Sequence, residues 1–77
     1  MKIKVIVTLK SGVLDPQGKA IQQTLNGMNF NNVDDVRQGK FFEINVNETD
    51  EAKAKLQVED MCKKLLANLV IEDYKIL

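Results

Sequence analysis

Lys10-Ser11-Gly12-Val13-Leu14-Asp15-Pro16-Gln17-Gly18-Lys19-Ala20-Ile21 joins two segments of different periodicity, and its reading decides the fold. Before it, Ile3, Val5, Val7 and Leu9 alternate with Lys2, Lys4, Ile6, Thr8 and Lys10, the period of two that marks a β-strand with one buried face. After it, Ala20, Ile21, Thr24, Leu25 and Met28 recur at helical spacing and form one apolar stripe. Asp15 suits the N-cap, where its carboxylate accepts the orphan amides of the first helical turn. Pro16 follows at the first helical position, where its missing N–H costs nothing and its fixed φ helps. Gly12 is placed to let the chain leave the strand through a conformation that a side chain would disfavour. The first helix is expected over residues 16–28, stopped by Gly27 and the Asn29-Phe30-Asn31-Asn32 segment.

Outward from this turn, a second β region is expected from Val33 to Val46, with Phe42, Ile44 and Val46 on one face and Glu43 and Asn45 on the other. Gln38-Gly39 interrupts it, as either a tight hairpin or a bend within one strand. Thr49 or Asp50 can cap a second helix, with Glu48, Asp50 and Glu51 beside its positive end. Glu51→Lys55, Glu59→Lys63 and Asp60→Lys64 are i,i+4 pairs in the favourable direction, each contributing ~0.2–0.5 kcal/mol on an isolated helix. Its buried stripe is read as Ala54, Val58, Met61, Cys62, Leu65 and Leu69, with Asn68 as a left-handed terminator and Val70 to Leu77 as a last strand. The expectation is one α+β domain over residues 1–77. It is a two-layer sandwich, an antiparallel sheet with two helices on one face, in the order strand, helix, strand (or two), helix, strand. The outer sheet face would carry Ile6, Thr8 and lysines, with Phe41 or Phe42 according to register.

Seventy-seven residues give one small core. Domains of this size bury about 60% of their unfolded surface, and association with a partner is a usual remedy. Eleven basic residues balance eleven acidic ones, which removes the broad attraction to phosphate backbones that nucleic-acid binding needs. Cys62 is the only cysteine, so no internal disulfide and no all-cysteine metal cage can form. With no signal-peptide pattern and no apolar run near the roughly 20 residues of a membrane span, the reading is a cytoplasmic protein that binds neither membrane nor nucleic acid.

Chemistry is sparse. Histidine is absent, so the usual acid–base group at neutral pH is missing, and Cys62 lies unactivated on the apolar stripe. Asp34-Asp35 and Asp50-Glu51 read as turn and cap residues rather than metal ligands. Gly12 and Gly18 are not followed by Gly-Lys-Ser/Thr, so there is no P-loop. The first helix N-terminus is an anion site in principle, but the Asp15 carboxylate occupies the donors and repels an anion. No catalytic, cofactor-binding or metal-binding residue is therefore assigned. Leu56 falls opposite Ala54, Val58 and Met61; it is either an ordinary exposed leucine or part of a partner contact.

The Val5-Ile6-Val7-Thr8-Leu9-Lys10 strand and the Gly12-Val13-Leu14-Asp15-Pro16-Gln17-Gly18 turn open a longer pattern. It continues through Val33, Val36-Arg37, Gly39-Lys40-Phe41 and Glu43-Ile44, and closes with Met61-Cys62-Lys63-Lys64-Leu65-Leu66-Ala67-Asn68 and Val70-Ile71-Glu72-Asp73-Tyr74. Taken together these resemble the PurS family, the small subunit of phosphoribosylformylglycinamidine synthase. Leu69 departs from the pattern, which has proline after the asparagine. The resemblance implies a non-catalytic subunit, a homodimer or homotetramer, that bridges a glutaminase subunit and a synthetase subunit and helps to shape an ammonia path. In such a complex the synthetase subunit uses ATP and magnesium to turn formylglycinamide ribonucleotide into formylglycinamidine ribonucleotide. By this analogy Asp15, Pro16, Gln17 and Gly18 shape the turn, and Arg37, Gly39 and Lys40 make contacts. Arg37 suits a carboxylate partner through its bidentate fork, or is simply a surface arginine.

The alternative is a small-molecule regulatory module of the ACT type, which also pairs a strand, an Asp/Pro/Gly turn and a helix. Ligand-induced stabilisation would favour that reading, and stable binding to a synthetase subunit without ligand would count against it.

Overall fold

A computed structural model describes residues 1–77. Strand β1 (Lys2–Leu9) is the centre of a three-stranded antiparallel sheet, flanked by β2 (Gly39–Asn45) and β3 (Glu72–Ile76) in the order β2-β1-β3. Helix α1 (Pro16–Gly27) lies between β1 and β2, and helix α2 (Glu51–Met61) between β2 and β3. The α+β class, the antiparallel sheet and the order of elements are those read from the sequence. The β2 region is one strand, so the sheet has three strands. Gln38-Gly39 is neither a hairpin nor a bend within a strand; it is where β2 begins.

The register explains the faces. Ile3 pairs with Ile44, Val5 with Phe42 and Ile76, and Val7 with Lys40 and Tyr74. Ile3, Val5 and Val7 therefore turn to α2 and are buried with Val46, Ala54, Val58, Cys62 and Ala67. Phe42 is on this inner face, while Phe41 pairs with Ile6 on the outer face and is exposed. Only ten of 77 residues are buried, a thin core even for this length.

One layer of that core is α2 alone. Helix α1 scarcely touches the sheet or α2; it projects as an arm with its own return segment. The Gln22 Nε2 donates to the Asp34 carbonyl at 2.9 Å, and Gly18 packs under the Val36 carbonyl. The chain accordingly measures 49 × 24 × 14 Å, with a radius of gyration of 15.9 Å, where a compact domain of this length has about 11.5 Å. The α1 stripe is left open, with Ile21 41% and Met28 60% exposed.

Three local expectations are corrected. Gly12 has open space around it and no positive φ; the only residue in the left-handed region is Asn29, at φ 74°, just beyond α1. Asn68 is not left-handed either: its side chain accepts the Val70 amide at 3.2 Å, and its own amide donates to Glu72 Oε1 at 2.7 Å. Finally, α2 passes into a single π-helical turn, Cys62–Leu66. The extra residue in that turn rotates everything after it. Ala54, Val58 and Cys62 face the sheet as read, but Leu65 is turned out and 83% exposed, Met61 and Leu69 are exposed, and Ala67 takes the buried place. Asp50, rather than Thr49, caps α2, accepting the Ala52 amide at 3.0 Å. The Glu51–Lys55 and Asp60–Lys64 pairs form at 3.2 and 2.9 Å, whereas Glu59 and Lys63 do not pair within 4.0 Å.

Candidate functional site

The strand-to-helix turn is organised by one carboxylate. Asp15 Oδ1 accepts the Gly18 amide at 2.9 Å, closing the N-cap of α1. Its Oδ2 accepts the Gln38 amide at 2.8 Å, across twenty-three residues of sequence. Asp15 thus pins the start of α1 to the start of β2, and it is buried. These backbone donors, Gln38 first and then Gly18, hold its carboxyl below the usual carboxylate range, with the Arg37 charge adding to the effect. Pro16 occupies the first helical position as expected.

Glycine is required twice here by close approach. A Cβ on Gly18 would lie 2.1 Å from the Val36 carbonyl oxygen, and one on Gly39 would lie 2.7 Å from the Val7 carbonyl oxygen. The first lets the return segment lie on α1, and the second lets β2 start against β1. Arg37 closes the junction from the other side, its guanidinium donating to the Lys10 carbonyl at 3.0 Å.

These residues meet at a cleft of about 250 Å³ at the end of the inner sheet face. Val7 and Leu9 contribute its apolar wall, and Asp15, Gln17, Gln38, Gly39, Lys40 and Glu72 its polar rim. Lys40 Nζ lies 3.5 Å from Glu72 Oε2. The Glu72 carboxyl is held below its ordinary range mainly by the Asn68 amide, with Lys40 contributing. The structure therefore brings Asp15, Gln17, Gly39 and Lys40 to one place, while Pro16, Gly18 and Arg37 do not line the cleft and act at the turn itself, at the first helical position, the Asp15 cap and the Lys10 carbonyl. Gln38 and Glu72 complete the rim and were not singled out from sequence. Glu72 was within reach, because it pairs opposite Leu9 once the sheet order is known; Gln38 acts through its backbone, which no side-chain pattern reveals.

Leu56 is elsewhere. It is 66% exposed on the outer face of α2 and borders a shallow hollow with Gln57, Glu59, Asp60 and Lys63. A second shallow hollow, of about 240 Å³, runs along the open α1 stripe between Ala20, Ile21, Thr24 and Leu25. No three His, Cys, Asp or Glu side chains converge as a metal site. Cys62 is buried, and burial pushes its thiol pKa up. No helix is long and apolar enough to cross a membrane.

These features define a small α+β domain built on a pinned strand-to-helix turn, with much apolar surface facing out. Residues 2–77 match the family model PurS, phosphoribosylformylglycinamidine (FGAM) synthase. The chain is 53% identical over 74 residues to the phosphoribosylformylglycinamidine synthase subunit PurS of Bacillus subtilis, covering 96% of this chain and 87% of that one. It is 53% identical to the crystal structure of Methanocaldococcus jannaschii PurS, described as one of the subunits of formylglycinamide ribonucleotide amidotransferase, with a TM-score of 0.87 over 99% of this chain and 92% of that one. A chain in the structure of PurLQS from Thermotoga maritima is 30% identical, with a TM-score of 0.87, covering 100% of this chain and 96% of that one. The chain belongs to the PurS family. A match of this kind along the whole chain does not favour the regulatory-module alternative.

Proposed function

We propose that this chain is the small, non-catalytic subunit of phosphoribosylformylglycinamidine synthase in de novo purine biosynthesis, bridging the synthetase and glutaminase subunits. The observation that carries this reading is the likeness of residues 2–77 to PurS subunits, including one in a structure of PurLQS. The physical features support it. The core is thin, α1 lacks cover within its own chain, and Leu56, Leu65 and Val70 are exposed, as suits a chain that completes its packing against others. In this reading the protein works in the cytoplasm as a homodimer or homotetramer. It holds no cofactor itself; ATP and magnesium are used by the synthetase subunit. Its part is to hold the two larger subunits together and support ammonia transfer, with the cleft rim of Asp15, Gln17, Gly39 and Lys40, the Arg37 junction and Leu56 as contact regions.

The test is glutamine-dependent synthesis of formylglycinamidine ribonucleotide by the synthetase and glutaminase subunits of the same organism, with and without this chain, beside an ammonia-driven control. Glutamine-dependent turnover and co-elution of all three proteins should require the chain. If the other two assemble and turn over equally well without it, the reading fails.

A further inference from the structure

Of the seven asparagines in the chain, only Asn26 precedes a glycine, and that pairing carries its own chemistry. The backbone nitrogen of the following residue can attack the side-chain carbonyl carbon of an asparagine, and a Cβ on that residue obstructs the approach. Glycine has no Cβ and reaches the backbone conformations that ring closure needs. Gln17-Gly18 and Gln38-Gly39 are poorer candidates, because glutamine must close a larger ring and both glycines are walled in by carbonyl oxygens.

Asn26-Gly27 lies where α1 is least held. The helix is fastened at Asp15, Gly18 and Gln22, all before its last turn. That last turn has no basic side chain to complement its carbonyl end. The Met28 amide is shared between the Thr24 and Leu25 carbonyls at 3.1 and 3.0 Å, and Asn29 then turns left-handed at φ 74°. A Cβ on Gly27 would meet nothing within 4 Å. The Asn26 Oδ1 is buried with no hydrogen-bond partner, so no donor holds the carboxamide oxygen in place.

We propose that Asn26-Gly27 is a site of spontaneous deamidation, gated by opening of the last turn of α1. In the closed turn the helical backbone holds the Gly27 nitrogen away from the Asn26 side chain. Once the turn opens, that nitrogen loses its proton to hydroxide and attacks Asn26 Cγ. A C–N bond forms, the carboxamide C–N bond breaks, and ammonia leaves with a proton drawn from water. Water then opens the cyclic imide at either carbonyl, giving aspartate or isoaspartate. The net change is one water consumed and one ammonia released.

The product fits its place poorly. Aspartate sets a negative charge at the negative end of α1, in a spot that offered the amide oxygen no donor. Isoaspartate lengthens the backbone by a methylene and breaks the helical repeat. Either form loosens the Leu25 and Met28 end of the apolar stripe.

The test incubates the full chain in mildly alkaline buffer, folded and in concentrated urea, and maps aspartate and isoaspartate at each asparagine by mass spectrometry. Asn26 should be the dominant site, should react faster as pH rises, and should fall silent in Asn26→Gln. Fraying helix ends open at low free energy, so the folded chain should react more slowly than the unfolded one but within about a hundredfold of it. Equal rates would overturn the gating, and a larger gap would tie the reaction to unfolding of the whole chain and overturn it too. If another asparagine reacts first in the folded chain, the site itself is refuted. Asn26→Asp, which makes one product directly, should speed amide hydrogen exchange from Thr24 to Met28 about tenfold and leave β1 unchanged. Unchanged exchange from Thr24 to Met28 would overturn the loosening of the helix end.

Discussion

Gly18→Ala sets two principles against each other, and the structure says which should win. Inside a helix, glycine is about 0.8–1 kcal/mol less favourable than alanine, so propensity alone predicts stabilisation. The methyl group, however, would lie 2.1 Å from the Val36 carbonyl oxygen and 2.8 Å from Asp15 Oδ2. Reaching an ordinary contact of 3.4 Å requires the Val36 backbone to retreat by 1.3 Å (3.4 − 2.1). That movement also strains the Gln38 amide bond to Asp15, because Val36 and Gln38 belong to the same short segment. Overpacking costs ~1–3 kcal/mol, and a backbone obstruction puts this site near the upper end. Subtracting the helical gain leaves a net loss of about 2 kcal/mol, or an unfolding midpoint lower by about 2 M urea at ~1 kcal/mol/M for a chain of this size. Gly27→Ala is the control in the same helix. Nothing lies within 4 Å of its added methyl and its φ is not positive, so it should stabilise by ~0.5–1 kcal/mol. Urea unfolding at one fixed protein concentration, since association is linked to stability, measures both. A Gly18→Ala midpoint at or above that of the unmodified chain would refute the packing of the return segment on α1.

Two further perturbations read other parts of the molecule. The Asp15 carboxyl has a lower pKa folded than the ~3.9 of an unfolded aspartate, so its stabilising contribution is complete above that value and disappears as pH falls through the folded pKa. Asp15→Asn keeps an N-cap acceptor but presents an amide donor to one of the two N–H groups, and should be destabilised at pH 7. The gap between it and the unmodified chain should narrow as pH falls below the unfolded value and through the lowered folded pKa. A gap independent of pH in urea titrations would contradict the assignment, and Glu72, present in both proteins, drops out of the difference. Leu65→Gln tests the π turn: at 83% exposure it should change stability by no more than about 0.5 kcal/mol. Val58→Ala, on the buried side of α2, should cost ~1–3 kcal/mol. A loss of several kcal/mol from Leu65→Gln would mean that the helix continues without the turn.

Where an element's own residues decide its structure, the sequence was readable. Asp15 and Pro16 start α1, Ile3, Val5 and Val7 alternate because one face meets α2, and the i,i+4 charges Glu51–Lys55 and Asp60–Lys64 pair as spaced. Of the candidate site, only the Asp15 cap and Pro16 could be read from local pattern; Gln17, Gly39 and Lys40 were named through the family resemblance, and they line one cleft with Asp15 because the sheet sets the strand-to-helix turn and the start of β2 side by side at one end of β1. Three features escaped, each for a physical reason. The π turn leaves no residue signature, since Cys-Lys-Lys-Leu-Leu reads equally well as α-helix, and a continued 3.6-residue phase would place Leu65 inside and Ala67 outside, the reverse of what is found. The Asp15–Gln38 bond is invisible because its donor is a backbone amide that any residue would supply.

The third is the position of α1, and it bears most on function. A stripe of Ala20, Ile21, Thr24 and Leu25 states that something apolar lies against the helix, without stating whose. Within one chain the sheet is the obvious cover, yet α2 with Val46 and Ala67 already fills the inner face, and the Gly18–Val36 contact directs α1 along its return segment instead. A twelve-residue helix containing two glycines, with Thr24 and Asn26, is marginal by itself in water. Its hold on the structure is concentrated at the Asp15 cap, the Gly18 contact and the Gln22 bonds to the Val33 and Asp34 carbonyls. The residues that shape the turn thus set the direction of an arm whose apolar face has no cover of its own. That is why substitutions at Asp15 or Gly18 are expected to weaken association with other chains as well as the fold of this one.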